Sequence, residues 1–408
     1  MAEPFPFERY RDVDPHSLRH KIAAVGPRVS VVVAVHNGGE VVRSCLQSVI
    51  DNSPTSHRII AIDDGGEDVH TRHILDEFHE RGDVELIRHE KCRGYTRTAN
   101  HGLLLTEGDD VVLLNSDTVV PPMWLQRLSW TAYSEPGIGT VSAVSNDAAA
   151  NSVPVRHRRN DWYPRLEWES TGRLMSRGMR VWSQHVPSAH GFCMYIRRAL
   201  IRKLGALDRY GFPVGYGEEV DYSQKAILAG WSNVVAPHVL VKHLRSQSFG
   251  PDRRKQLVDA SKVVLTERYP QLRADVASWE SSLGAALVQQ NAARVRSGWS
   301  GKGPGARAVV VRDLDLQYTL VELLGEDGSL APQDEWCFPA NQRRVDSTEA
   351  LDHAVSEMIL LGCAESVVSH SRSTHKERVL RRLARDLGVG YEQAHAPDTD
   401  PAGLTRDR

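Results

Sequence analysis

The feature that most constrains this chain is the run VSVVVAV at residues 29–35. A half-buried strand alternates polar and apolar residues. An almost unbroken run of valines belongs instead to a strand covered on both faces, as in parallel sheets flanked by helices. The run stops at His36-Asn37-Gly38-Gly39, and Val41, Val42, Cys45, Leu46 and Val49 then fall on one helical stripe. The pattern repeats. Residues 58–62 form a second buried strand closed by Asp63-Asp64-Gly65-Gly66, and Val69, Arg72, Ile74, Leu75 and Phe78 carry a second helix. Residues 84–88 and 110–114 supply two more strands, and Pro121-Pro122 opens a helix through Trp124, Leu125 and Leu128. This alternation predicts an α/β fold with a mostly parallel sheet. Ligands in such sheets bind beyond the carboxyl ends of the strands. Those ends read His36-Asn37, Asp63-Asp64 and Asn115-Ser116-Asp117, polar residues where a site belongs.

A chain of 408 residues suggests two or three domains. The first, residues 28–252, follows a lead-in at 1–27. Residues 146–188 interrupt its regularity with a basic stretch, Arg156 to Arg159, and with Trp162, Trp168 and Trp182. Regularity resumes with a strand at 191–197, a helix at 218–228 and a strand at 233–236. Residues 253–296 read as helical. The Gly/Ser/Pro-rich stretch 297–307 reads as a linker, 308–396 as a small α/β domain of unassigned role, and 397–408 as a disordered tail. In the small domain Thr374-x-x-Glu377 is read as a capping box.

With 50 Lys+Arg against 52 Asp+Glu, the chain lacks the basic excess of a dedicated nucleic-acid binder. It has no apolar run near the ~20 residues that cross a bilayer, and residues 1–20 have no signal-peptide core. The expectation is a cytoplasmic protein, either free or peripheral at the inner membrane surface. Its five cysteines are odd in number and contain no C-x-x-C, which points to reduced thiols rather than disulfides or a zinc site.

Four places could carry chemistry, and each has a bland reading beside the sharp one. Asn115-Ser116-Asp117 can hold a divalent cation through a carboxylate while leaving positions for diphosphate oxygens, or it is a plain Asx turn. Asp63 can accept the N3–H of a uracil- or thymine-type base or an N–H of guanine, or it simply forms part of an Asp-Gly turn. Glu218-Glu219 can supply a general base, or it offsets a helix dipole. His243 can ligate a metal, or it is a surface histidine.

The order of these segments is what distinguishes the chain. VSVVVAVHN, AIDDGGED, CRGYTRTANHGL, NSDT, GFCMYIRR, GYGEEVDYSQKAILAG and then His243 together resemble the family 2 glycosyltransferases of GT-A fold, over about residues 28–250. The pattern is most similar to the rhamnosyltransferase-like branch. The resemblance implies a metal-assisted, inverting transfer of a sugar from a nucleotide-diphosphate sugar, with UDP- or dTDP-linked donors favoured. The acceptor hydroxyl would belong to a glycan, a lipid-linked glycan, a protein or a small molecule. It assigns Asp63 to the nucleotide base, with Val35 and Asn37 beside the nucleoside. Asn115 and Asp117 take the metal motif, with Asn in the first slot where Asp is usual. His243 is the second ligand of a Mn2+ or Mg2+ ion. Glu219 is the catalytic base, with Glu218 as the fallback. Trp162, Trp168 and Trp182 are expected to face the acceptor, since indole faces stack on sugars.

Two rival enzymes are disfavoured. A nucleotidyltransferase needs a G-x-G-T-R-like loop after the first strand, and a dinucleotide oxidoreductase needs G-x-G-x-x-G there. The remaining rival is a non-catalytic glycan- or nucleotide-binding protein on a degenerate transferase fold.

Overall fold

The computed structural model describes residues 28–53, 57–162, 168, 171–172, 175–176, 179, 183–244, 251–297, 307–314, 318–325, 328, 330, 342–360, 364, 366–387 and 389–394. The expected lead-in, the disordered tail, nearly all of the expected linker, Trp182, Arg245, Cys337 and Cys363 lie outside them. The chain divides into two compact units, Met1–Pro304 and Gly305–Arg408.

The first unit is built on β1 (Val29–Val35), β2 (Arg58–Asp63), β3 (Glu85–Arg88), β4 (Asp110–Asn115), β5 (Thr118–Val119), β6 (Ile138–Ser145), β7 (Gln184–Val186), β8 (Cys193–Ile196) and β9 (Ser232–His243). The sheet runs β3-β2-β1-β4-β8-β6-β9-β5, with β7 also on β9. The first four strands are parallel. β8 is antiparallel to both β4 and β6, and β6 and β9 are parallel again. The sheet is therefore mixed, as expected. Register does the positioning. Val35 pairs with Asp63, Ala34 with Asn115, and Asp63 with Arg88, so the polar strand ends line up along one edge.

Both faces are covered, as the valine run requires. On one face Val31, Val33, Val35, Val112 and Leu114 pack under α1 (Glu40–Asn52), α2 (Val69–Glu80) and α4 (Trp124–Ala132), through Val42, Leu46, Phe78, Trp124 and Leu128. On the other, Val32, Ile60, Ile62, Val111, Leu113 and Met194 meet α3 (Tyr95–Leu105), α5 (Arg198–Leu204) and α6 (Glu218–Leu228) through Leu103, Leu200, Tyr222 and Ala226. Each such side chain contributes about 1.5–3 kcal/mol by leaving water. Three further helices follow, α7 (Pro251–Arg268), α8 (Leu272–Glu280) and α9 (Leu283–Ser297).

The structure corrects several expectations. The strand expected at 233–236 runs on to His243, which is its last residue rather than a residue beyond it, and pairs with Thr118. Strand β6 is fully buried yet reads IGTVSAVS, without an apolar run. Its hydroxyls are bonded internally, with Thr140 Oγ1 donating to Asn233 Oδ1 and Ser142 Oγ accepting from the His190 N–H. Pro121-Pro122 precede α4 rather than opening it, and Met123 is left-handed at its start.

The second unit contains a five-stranded sheet in the order β12-β11-β10-β13-β14. Its strands are β10 (Arg307–Asp313), β11 (Thr319–Gly325), β12 (Gln342–Val345), β13 (Ser366–Ser369) and β14 (Gly390–Gln393), with helices α10 (Thr348–Leu360) and α11 (Thr374–Leu387). The expected capping box is absent. Thr374 is already inside α11, and the Glu377 carboxylate takes hydrogen bonds from Ser369 Oγ and Tyr391 OH.

Candidate active site

The β1 end contributes Val35, buried in the sheet, and Asn37, which sits at φ 59° with Oδ1 accepting the Asp68 N–H at 2.9 Å. Beside it, Asp63 is buried. Its Oδ1 accepts the Gly66 N–H at 3.0 Å and its Oδ2 lies 3.4 Å from Arg88 Nε. Its neighbour Asp64 organises the next loop, taking N–H groups from Arg93 and Gly94 at 2.9 Å each and His89 Nδ1 at 2.9 Å. Burial alone would raise the Asp64 carboxyl, but these bonds, led by His89, hold it below the usual carboxylate range.

Asn115 ends β4, and its carbonyl accepts the Thr118 hydroxyl at 2.8 Å. Two residues on, Asp117 Oδ1 lies 3.2 Å from His243 Nε2. His243 is held on every side. Asn146 Oδ1 accepts its N–H at 2.7 Å, Asn146 Nδ2 donates to its carbonyl, and its ring stacks on Phe192 at 5.5 Å. His243 Nδ1 faces the Asp147 carbonyl at 2.9 Å. A backbone carbonyl on one ring nitrogen and a carboxylate near the other is the support commonly given to a metal-binding histidine. Both ring nitrogens of His243 thus face oxygen atoms, Nδ1 the Asp147 carbonyl and Nε2 the Asp117 carboxylate. Among the described residues no group of three or more His, Cys, Asp or Glu converges to hold a metal. Asp117 and His243 are one carboxylate and one imidazole, a pair that could hold a divalent cation only with further ligands from outside the protein.

Glu218 and Glu219 open α6 behind Gly217. Glu219 Oε2 accepts the Gly217 N–H at 3.0 Å, while Glu218 is buried and its Oε2 has no partner among the described residues. Burial, and then the charge of Glu219, push Glu218 well above the ordinary glutamate range. Burial also raises Glu219, but backbone N–H groups and a hydrogen bond with Glu218 pull it back. Both carboxyls are thus raised, Glu218 the more strongly, and Glu219 is half-buried where Glu218 is buried.

Two adjacent residues join these halves. A Cβ on Gly191 would lie 3.6 Å from Cβ and Cγ of Glu219, while the Phe192 carbonyl accepts the Asn115 N–H at 2.9 Å and its ring carries His243. Gly191 and Phe192 stand in the segment GFCMYIRR, and Asn146 and Asp147 open the irregular stretch at 146, but none of the four was expected as a site residue. Half-buried His190 adjoins them. Burial first, then nearby His157, push its imidazole down to about 4.

Trp162 is buried in a cluster with Val144, Met175 and Val235, and its Nε1 donates to the Val153 carbonyl at 2.9 Å. Trp168 is half-buried with Lys242 Nζ 5.5 Å from its ring centre. The basic stretch is also engaged. Arg156 lies over Trp279, and His157 Nε2 is 2.7 Å from Glu280 Oε1.

Comparison with known proteins adds the following. The model of the family "Glycosyl transferase family 2" matches residues 30–205, which include Asp63, Asn115 and Asp117 but not Glu218, Glu219 or His243. The chain is 24% identical over 233 residues to polypeptide N-acetylgalactosaminyltransferase 5 of Caenorhabditis elegans, covering 53% of this chain and 37% of that protein. It is 26% identical over 224 residues to inactive polypeptide N-acetylgalactosaminyltransferase-like protein 5 of Mus musculus, covering 52% of this chain and 51% of that one. The chain thus spans 37% and 51% of the length of these two curated relatives. A mannosyltransferase from Pyrobaculum calidifontis, solved with GDP-Man and Mn2+, aligns with a TM-score of 0.45 at 18% identity, over 68% of this chain and 77% of that one.

Proposed function

We propose that this chain, whose residues 30–205 match the model of glycosyl transferase family 2, is an inverting glycosyltransferase of GT-A type. It moves a hexose-type sugar from a nucleotide-diphosphate donor to an acceptor hydroxyl. The observation that supports this reading is the Gly191-Phe192 junction: Gly191 lies against Glu219, while the Phe192 carbonyl is bonded to the Asn115 N–H and its ring stacks on His243, the neighbour of Asp117.

Asp63 and the β1 end at Val35 and Asn37 hold the nucleoside, with a UDP- or dTDP-linked donor as the fit for a carboxylate that accepts N3–H. Asp117 and His243 would hold Mn2+ or Mg2+, which when bound neutralises charge on the departing diphosphate. Glu219 takes the proton of the acceptor hydroxyl. The hydroxyl oxygen bonds to the anomeric carbon from the face opposite the diphosphate, and the glycosidic electron pair leaves on the diphosphate oxygen. One displacement inverts the anomeric centre. Glu218, protonated, donates to Glu219 and keeps it ionised. The choice of the rhamnosyltransferase-like branch rests on Asn115 and His243. Acceptors from glycans to lipid-linked glycans, proteins or small molecules remain open to this site. Among the described residues no helix is long and apolar enough to cross a membrane.

A thermal-shift titration tests donor binding. UDP or dTDP with Mn2+ should raise the melting temperature by several degrees, because a ligand at 100 times its Kd adds about 2.7 kcal/mol. Either component alone should do much less. The reading loses its donor site if no nucleoside diphosphate, with or without metal, moves the transition. The mouse relative named inactive keeps the binding-protein alternative in view, and binding without turnover would favour it.

A further inference from the structure

Helix α7 lies beyond the segment matched to the family and grips the turn that presents Glu219. Its last residue, Arg268, sends Nη1 to Asp208 Oδ2 at 2.7 Å and to Asp221 Oδ1 at 2.8 Å. Asp208 begins the loop leading into α6, where its Oδ1 accepts the N–H groups of Tyr210 and Gly211. Asp221 is fully buried two residues after Glu219. One guanidinium therefore ties together both ends of residues 208–221. The same helix reaches the middle of this segment, where Ser261 Oγ donates to the Tyr216 carbonyl. That turn is conformationally demanding. Tyr216 has φ 64° and Gly217 has φ 123°, and a Cβ on Gly217 would meet the Phe212 ring at 2.7 Å and Ser261 Cβ at 3.1 Å. The Gly217 N–H is the group that holds Glu219 Oε2.

Asp221 does not depend on Arg268 for burial. Tyr269 OH donates to its Oδ1 at 2.8 Å, and Lys225 Nζ lies 2.6 Å from its Oδ2. Loss of Arg268 thus leaves the buried carboxylate partnered while freeing the loop at Asp208. Charge-assisted bonds of this length are stronger and more directional than neutral ones. A displacement of about 1 Å in a reacting group can slow a reaction ~100-fold.

We propose that Arg268 is a positioning residue for sugar transfer, fixing the Gly215–Glu219 turn through Asp208 and Asp221 so that Glu219 stays aimed at the acceptor hydroxyl. This rests on Glu219 being the base. The experiment measures steady-state transfer by the full chain, with Mn2+ and the best donor of a sugar-nucleotide panel, for wild type, R268M, R268K, E219Q and the E219Q/R268M double variant. Melting curves identify the folded proteins. R268M should lower kcat about 10-fold with the donor KM within about 2-fold, since the donor contacts stay in place. R268K should recover part of the loss even if R268M proves poorly folded. The double variant should be no slower than E219Q, because both changes act on one group. Wild-type kcat in folded R268M overturns the proposal, as does a double variant whose losses multiply while E219Q alone is impaired. E219Q with near-normal turnover overturns the base assignment and the proposal with it.

Discussion

Glu218 and Glu219 are adjacent, and the difference between them is what favours Glu219 as the proposed base. Glu218 is buried, and burial plus the charge of its neighbour raise it. Glu219 is half-exposed, raised by burial and relieved by backbone N–H groups and by Glu218. A base raised above the ordinary glutamate value of about 4.3 loses its ionised form at a higher pH as acid is added. The acid limb of kcat/KM should therefore fall at a pH above the ordinary glutamate range, reporting the pair as a unit. E218Q keeps a donor and should leave that limb in place. E218A removes the donor and should move it to higher pH. An unmoved limb in E218A would deny the pair its shared proton. The sequence told of two acids at a helix start and not of which was buried. That distinction arises from packing in three dimensions, where Gly191 lies against Glu219 and the Gly217 N–H holds its Oε2.

At the scale of elements, the valine run made β1 legible because its burial on both faces requires helices on both sides. Strand β6 was not legible. Its buried hydroxyls have partners on β9 and in the backbone at 190, and those partners exist only in three dimensions. The extension of β9 to His243 was likewise hidden, since its outer part pairs with the two-residue strand β5. Helix α3 shows how tightly the second layer sits. A Cβ on Gly102 would meet Val32 Cγ1 at 2.3 Å, and Val32 is a stiff, fully buried strand residue. Gly102→Ala should destabilise the first unit by about 1–3 kcal/mol despite the better helix propensity of alanine. Urea denaturation measures it, and unchanged stability would mean that α3 shifts freely on the sheet.

Each of the two compact units buries apolar residues; in the second, Val309, Val311, Val321, Leu351, Val355, Val367 and Leu380 are buried. All residues assigned to donor, cation and base lie in the first unit. Calorimetry should resolve two unfolding transitions, and UDP with Mn2+ should raise one and leave the other unmoved. A single transition raised as a whole would join the units thermodynamically. The central claim is that Glu219 serves as base in a metal-assisted transfer. Its most direct measurement is release of nucleoside diphosphate from a panel of sugar nucleotides, with Mn2+ or with chelator, by the full chain and by Glu219→Gln. The account predicts turnover with at least one donor, abolished by chelator and reduced ~100-fold or more in the variant, in which donor binding persists. Release that is indifferent to metal, or a variant as fast as the parent chain, would contradict it.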